Sequence, residues 1–146
     1  MTEYVLPTHA NALGNVFGGQ ILAWVDLCAA ICAQRHTGHV AITAGIDELS
    51  FEQPIKVGQV VRLRARVTAT FRTSLEILVD VEGEEAMTGR CWPCVTAFVT
   101  YVAIDEARRP TAIPPLCIET DAQRVLAAEA EKRRAARLAR RKRRPD

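Results

Sequence analysis

The amino-acid sequence predicts an α+β domain in which one long central helix is wrapped by a curved antiparallel sheet. Three observations carry this reading. The run from Gln20 to Gln34 holds no proline or glycine and is rich in alanine, so it forms a helix. Its apolar residues go nearly all the way round, so the helix is buried on most sides. Further on, apolar and polar residues alternate with period two over Val61–Thr70 and again over Leu75–Glu82, which marks strands with one wet face. A sheet curled around one apolar helix buries both sets. One sheet cannot enclose every side of that helix, which calls for a second subunit.

The elements follow in order. The first twenty residues are punctuated by Gly14, Gly18 and Gly19 and read as a loop with special backbone geometry. The helix ends at Arg35 and His36, cations of the last turn, with Gly38 as its stop. Val40 to Phe51 is β-like and ends before Pro54. Val61, Leu63, Ala65, Val67 and Ala69 share one strand face, with Arg62, Arg64 and Arg66 on the other. Leu75, Ile77, Val79 and Val81 face inward on the next strand, opposed by Glu76, Leu78, Asp80 and Glu82. Joined through Phe71-Arg72-Thr73, the two form a hairpin that sets a row of arginines beside a row of acids. Cys94 to Ile104 is a further strand, rich in Val, Thr, Phe and Tyr. Pro110, Pro114 and Pro115 end the compact domain, placed at residues 1–121. Residues 122–146 form a basic tail, helical or disordered, whose end at 140–144 is too charged to pack.

The chain has 146 residues and a net charge of +2, the size and balance of one ordinary globular domain. That small charge hides an asymmetry: 9 Lys/Arg face 14 Asp/Glu over residues 1–122, and 10 face 3 over residues 123–146. Five cysteines make no disulfide framework. No secretory leader is legible, and the apolar run Ile21–Ala33 is interrupted by Asp26 and too short to span a bilayer. The chain reads as cytoplasmic, in a reducing compartment.

Two features carry chemistry. Asp26 is the only charged residue between Glu3 and Arg35, and it sits mid-helix between Val25 and Leu27. A carboxylate among apolar side chains costs free energy, and proteins keep one mainly where it is used. The alternative is a carboxylate that faces water or caps a loop. The second feature is the loop His9 to Gly19 running into the helix. Gly18 and Gly19 let a ligand approach the N–H groups of a helix start, which makes an oxyanion or anion site; read plainly, it is a glycine turn. The pair Cys91-Trp-Pro-Cys94 leads into a strand and has no second ligand pair, so it reads as structural and no metal site is expected. Cys28 and Cys32 read as small buried hydrophobes.

The segments His9-Ala-Asn-Ala-Leu-Gly-Asn-Val-Phe-Gly-Gly-Gln-Ile-Leu-Ala-Trp-Val-Asp26, Arg35-His36, Ala44-Gly-Ile-Asp47, Phe51 to Gly58, Ser74-Leu-Glu-Ile, Phe98-Val-Thr-Tyr-Val and Pro114-Pro-Leu resemble the hotdog-fold acyl-CoA thioesterases, specifically the YciA-type and cytosolic acyl-CoA hydrolases. The likeness runs from residue 4 to about residue 120. It implies a homodimer with a continuous sheet, assembled as a hexamer that is a trimer of dimers. It implies a catalytic pair, Asn15 and Asp26, drawn from opposite protomers. Asp26 would act on water as general base or attack the thioester directly, Asn15 would orient it, and Gly18 and Gly19 would receive the oxyanion. No cofactor is implied; CoA enters as part of substrate and product. Lys56, Arg72, Ser74 and Arg90 are candidates for CoA contacts, and Phe17, Leu22 and Trp24 for the acyl tunnel.

Two other readings stand beside hydrolysis. One is another hotdog-fold acyl-CoA enzyme, a hydratase or dehydratase, for which His9 is the only upstream histidine. The other is a CoA-ester binding protein. The basic tail is read as a solvated extension and not a nucleic-acid arm, since no aromatic residue follows Tyr101 to stack on bases. All the motifs precede the tail, so its removal should leave hydrolysis intact.

Overall fold

The computed structural model describes residues 1–142. Five antiparallel strands form one sheet: β1 (Thr2–Tyr4), β2 (Val40–Phe51), β3 (Val60–Thr70), β4 (Ser74–Glu85) and β5 (Arg90–Ile104), in the order β1-β3-β4-β5-β2. A long helix, α1 (Gly18–Thr37), lies against one face, and a second, α2 (Asp121–Lys142), follows the sheet. Strand β1 pairs Thr2–Tyr4 with Val60–Arg62. It falls within the stretch read as loop, and three residues are too few to show a period.

The β3–β4 hairpin closes as its sequence predicts, with the Phe71 N–H donating to Ser74 O at 2.7 Å. Arg62, Arg64 and Arg66 pair diagonally with Glu84, Glu82 and Asp80 at 3.2–3.3 Å. Irregular register in β2 after Thr43 and Asp47, in β3 after Val67, and opposite Pro93 bends the strands. These bends curl the sheet around α1. Pro93 is tolerated because β5 pairs there with β4 alone; β2 ends at Phe51, opposite Val95.

The core lies between α1 and the inner face of the sheet. Ala29 and Ala33 bring the helix backbone close to Val61, Ile77, Val79 and Val99, all fully buried. The helix stops at Gly38, whose φ of 69° only glycine adopts freely. In this single chain α1 is buried on one side only: Ala23, Leu27 and Ile31 stay exposed along the other.

The outer face of β4 is not wet throughout. Glu76 and Leu78 are buried although they alternate with the core residues. Helix α2 accounts for this. It starts in a reciprocal cap, with the Gln123 N–H on Thr120 Oγ1 and the Thr120 N–H on Gln123 Oε1. Arg133 then grips Glu76 with two hydrogen bonds, at 2.9 and 3.0 Å, and its guanidinium lies 3.6 Å from the centre of the Phe98 ring. Arg137 and Arg140 both pair with Asp47. At the end read as too charged to pack, Arg140 reaches Asp47 while its side chain stays 70% exposed; residues 143 and 144 lie outside the described residues.

Candidate active site

Asp26 projects from α1 toward the strands. Thr43 of β2 donates its hydroxyl to Asp26 Oδ1 at 2.6 Å, and the single O–H of Tyr101 of β5 is shared between the same oxygen and the Asp26 main-chain carbonyl, each at 2.7 Å. Thr43 and Tyr101 are register partners, so both side chains leave the same face of the sheet at one level. Asp26 Oδ2 accepts no hydrogen bond from the described residues. Tyr101 is fully buried. Burial first, and then the neighbouring carboxylate, raises its phenol well above the ordinary value, so it is a donor at every physiological pH.

The loop before α1 is braced by Asn11. Its Oδ1 accepts from the N–H groups of Leu13 and Asn15, and the Asn11 N–H donates to Asn15 O at 2.8 Å. Gly14 takes the φ of 75° that closes this turn. Asn15 forms a bridge with Lys56, and its own side-chain oxygen is buried with no partner among the described residues. It lines a cleft of about 280 Å³ with Asn11, Gly18, Phe51 and Pro54. No side chain caps the start of α1, so the first-turn N–H groups at Gly18 and Gly19 are free of intrahelical acceptors.

The predicted residues thus fall into two groups. Asn15, Gly18, Gly19, Lys56 and Arg90 lie at the end of the sheet where α1 begins, and Arg90 opens β5 with its guanidinium over Trp92. Arg72 and Ser74 lie at the opposite end of β4, about 35 Å away at strand rise. Asp26 is on the third helical turn, about 12 Å along α1 from Gly18. One chain does not bring all of them to one place. Trp24 is in the core, edge-on to His9 at 5.0 Å, while Phe17 is exposed and Leu22 half-buried. His9 accepts from the Leu6 N–H and braces the loop. Cys91 is exposed and Cys94 buried, and burial pushes the Cys94 thiol up to about 11. Thr43 and Tyr101 escape sequence reading: a hydroxyl in a strand shows no period, and both reach Asp26 through long-range pairing.

Residues 13–89 match the model of the thioesterase superfamily. An acetyl-coenzyme A thioesterase of Rattus norvegicus is 33% identical over 94% of this chain. The match takes up 25% of that protein, so the chain spans about a quarter of its length. The crystal structure of an apo-hexameric acyl-CoA thioesterase superposes with a TM-score of 0.92 at 35% identity, covering 99% of this chain and 92% of that one. An acyl-CoA hydrolase from Staphylococcus aureus, in complex with butyryl coenzyme A and coenzyme A, gives 0.88 at 29% identity, over 97% and 86%. That enzyme has also been solved with single alanine replacements of an asparagine, an aspartate 15 residues later and a threonine 17 residues after that. The family match, the full-length superposition and the antiparallel sheet around one helix agree: this chain belongs to the hotdog-fold thioesterase superfamily.

Proposed function

We propose that the protein hydrolyses acyl-CoA thioesters to a free fatty or carboxylic acid and CoA. The observation that carries this is the Asp26 carboxylate, fixed through Oδ1 by two hydroxyls with Oδ2 left unbonded. A thioester carbonyl is electrophilic and a thiolate leaves readily, so a positioned carboxylate suffices and no cofactor is needed. As general base, Asp26 takes a proton from water while the oxygen adds to the carbonyl carbon; the C–S bond then breaks and the thiolate takes up a proton. As nucleophile, Asp26 forms an anhydride, releasing the thiolate, and water then cleaves the anhydride. The N–H groups at Gly18 and Gly19 are suited to the oxyanion.

The site is a shared one. In one chain Asp26 and Asn15 belong to different clusters, and the apolar stripe of α1 and the long edge strand β2, with exposed Val40, Ile42 and Phe51, stand open. A twofold pairing of β2 edges would extend the sheet, cover that stripe and reverse one chain against the other. Asn15 of one protomer would then face Asp26 of its partner. The hexameric relative supports assembly beyond the dimer, as a trimer of dimers. Asn15, with its unpartnered oxygen, remains our choice for orienting the water. The spacing of the replaced residues in the Staphylococcus aureus enzyme supports a second asparagine, since Asn11, Asp26 and Thr43 stand 15 and 17 residues apart here. Lys56 and Arg90 are suited to CoA phosphates at one end of the shared site, Arg72 and Ser74 at the other. Five free cysteines support a cytoplasmic setting.

Release of free CoA thiol from acyl-CoAs of two to sixteen carbons tests the activity. Asp26→Asn should fold and lose at least a thousandfold in kcat, because the amide neither takes a proton nor attacks. No thiol release from any acyl-CoA would refute this function; full turnover in Asp26→Asn would remove the mechanism built on Asp26.

A further inference from the structure

The mechanism so far uses Asp26 as a carboxylate and leaves open which of its oxygens reacts. The geometry settles on one. Tyr101 and Thr43 converge on Oδ1 from neighbouring strands, at 2.7 and 2.6 Å. A carboxylate oxygen that accepts two hydroxyl donors has its lone pairs engaged, and the carboxylate plane is fixed. Oδ2 is left as the free acceptor. Resting on the hydrolase reading above, we propose that Tyr101 is a positioning residue for the reaction: with Thr43 it holds Asp26 by Oδ1 so that Oδ2 is the oxygen presented to water or to the thioester carbon.

Three facts favour this over a purely structural tyrosine. Tyr101 is fully buried in the core, where phenylalanine would fill the same space without a polar atom to satisfy. Its single O–H is shared between two Asp26 acceptors, the main-chain carbonyl and Oδ1, each at 2.7 Å. The carbonyl contact ties the backbone of that helical turn to β5, so the Tyr101 hydroxyl fixes both ends of the Asp26 side chain. The titratable groups that act on its hydroxyl, Asp26 and, two residues further on, Cys28, both belong to α1. Thr43 stands on the edge strand that the proposed dimer would cover, whereas Tyr101 is buried within the single chain. Tyr101, sealed from water, is the steadier of the two. Holding a reactive group in one orientation is worth orders of magnitude in rate when the alternative is a freely turning side chain.

The test is Tyr101→Phe in the full chain, assayed for thiol release. We expect kcat to fall tenfold or more with KM within twofold of wild type, an unchanged circular dichroism spectrum and an unchanged oligomer. Combined with Asp26→Asn, Tyr101→Phe should slow the residual rate no further, since it acts only through Asp26; an additive loss would mark an independent structural role and overturn the proposal. So would an unchanged kcat in folded Tyr101→Phe. Should that variant fail to fold, Thr43→Val and Thr43→Ser decide: kcat should drop in the first and recover in the second, and equal rates in the two would refute the grip on Oδ1. A wild-type chain inactive on every acyl-CoA would instead refute the hydrolase reading itself, whereas an active Asp26→Asn would take Asp26 out of the mechanism and overturn the positioning proposal with it.

Discussion

Asn11 holds its loop through its side-chain oxygen, and the proposed site would draw on its amide nitrogen. Its oxygen accepts two main-chain N–H groups and holds the turn, while its amide nitrogen is left for other work. Asn11→Asp separates these roles, because the carboxylate keeps the acceptor and loses the amide donor. The expected outcome is a melting temperature close to wild type and a hundredfold or greater loss in kcat/KM, a drop of about 2.7 kcal/mol or more in transition-state stabilisation. Wild-type rates in a stable Asn11→Asp would confine Asn11 to the loop. At this scale the sequence was legible where a residue broke its own context. Asp26 stands out as a lone charge on an apolar helix. Thr43 and Tyr101 sit among residues of their own kind in β-rich stretches, and only the pairing of β2 with β5 reveals their convergence.

Among the elements, the helix was legible from its alanine-rich run without proline or glycine, and the β3–β4 hairpin from its regular period of two. The wet face expected for β4 was not, because covering it depends on a helix some fifty residues further along the chain. Residues 91–94 lie in β5, which begins at Arg90 and not at Cys94, where the run rich in Val, Thr, Phe and Tyr starts. Trp92 lies across from Gly83 on β4 and covers it, with the indole N–H donating to Pro54 O at 3.2 Å. A methyl group at Gly83 would run into the indole ring. Gly83→Ala should therefore displace Trp92, break its tie to the loop that carries Pro54 and Lys56, and cost about 1–3 kcal/mol as an overpacking change. Urea unfolding followed by tryptophan fluorescence measures this. A variant as stable as wild type, with unshifted emission, would show that Trp92 is free to move away.

For the whole molecule, the question is whether α2 is an appendage or part of the folded unit. Its charge composition reads as a solvated face, since eight cations stand against three acids over Asp121–Lys142. The partners that make it pack are acids on other elements, Glu76 of β4 and Asp47 of β2, and composition cannot see them. Glu76 is 1% exposed, and apart from Arg133 its side chain is met by the Thr68 hydroxyl at 2.7 Å. Removing residues 123–146 would take Arg133 away from the buried Glu76 carboxylate, so the truncated chain should be weakened in folding even though it keeps every motif read for hydrolysis. A cleaner test keeps the helix. Arg133→Ala strands the Glu76 charge under α2 and should cost about 3–5 kcal/mol, the penalty of breaking a buried pair from one side. Replacing both partners, Arg133→Leu with Glu76→Leu, removes the charge together with its counterion and should recover most of that loss. Equilibrium urea unfolding of wild type, single and double variants gives the coupling directly. If Arg133→Ala costs less than about 1 kcal/mol, as an exposed pair would, then α2 sits loosely on the sheet and the molecule folds without its grip.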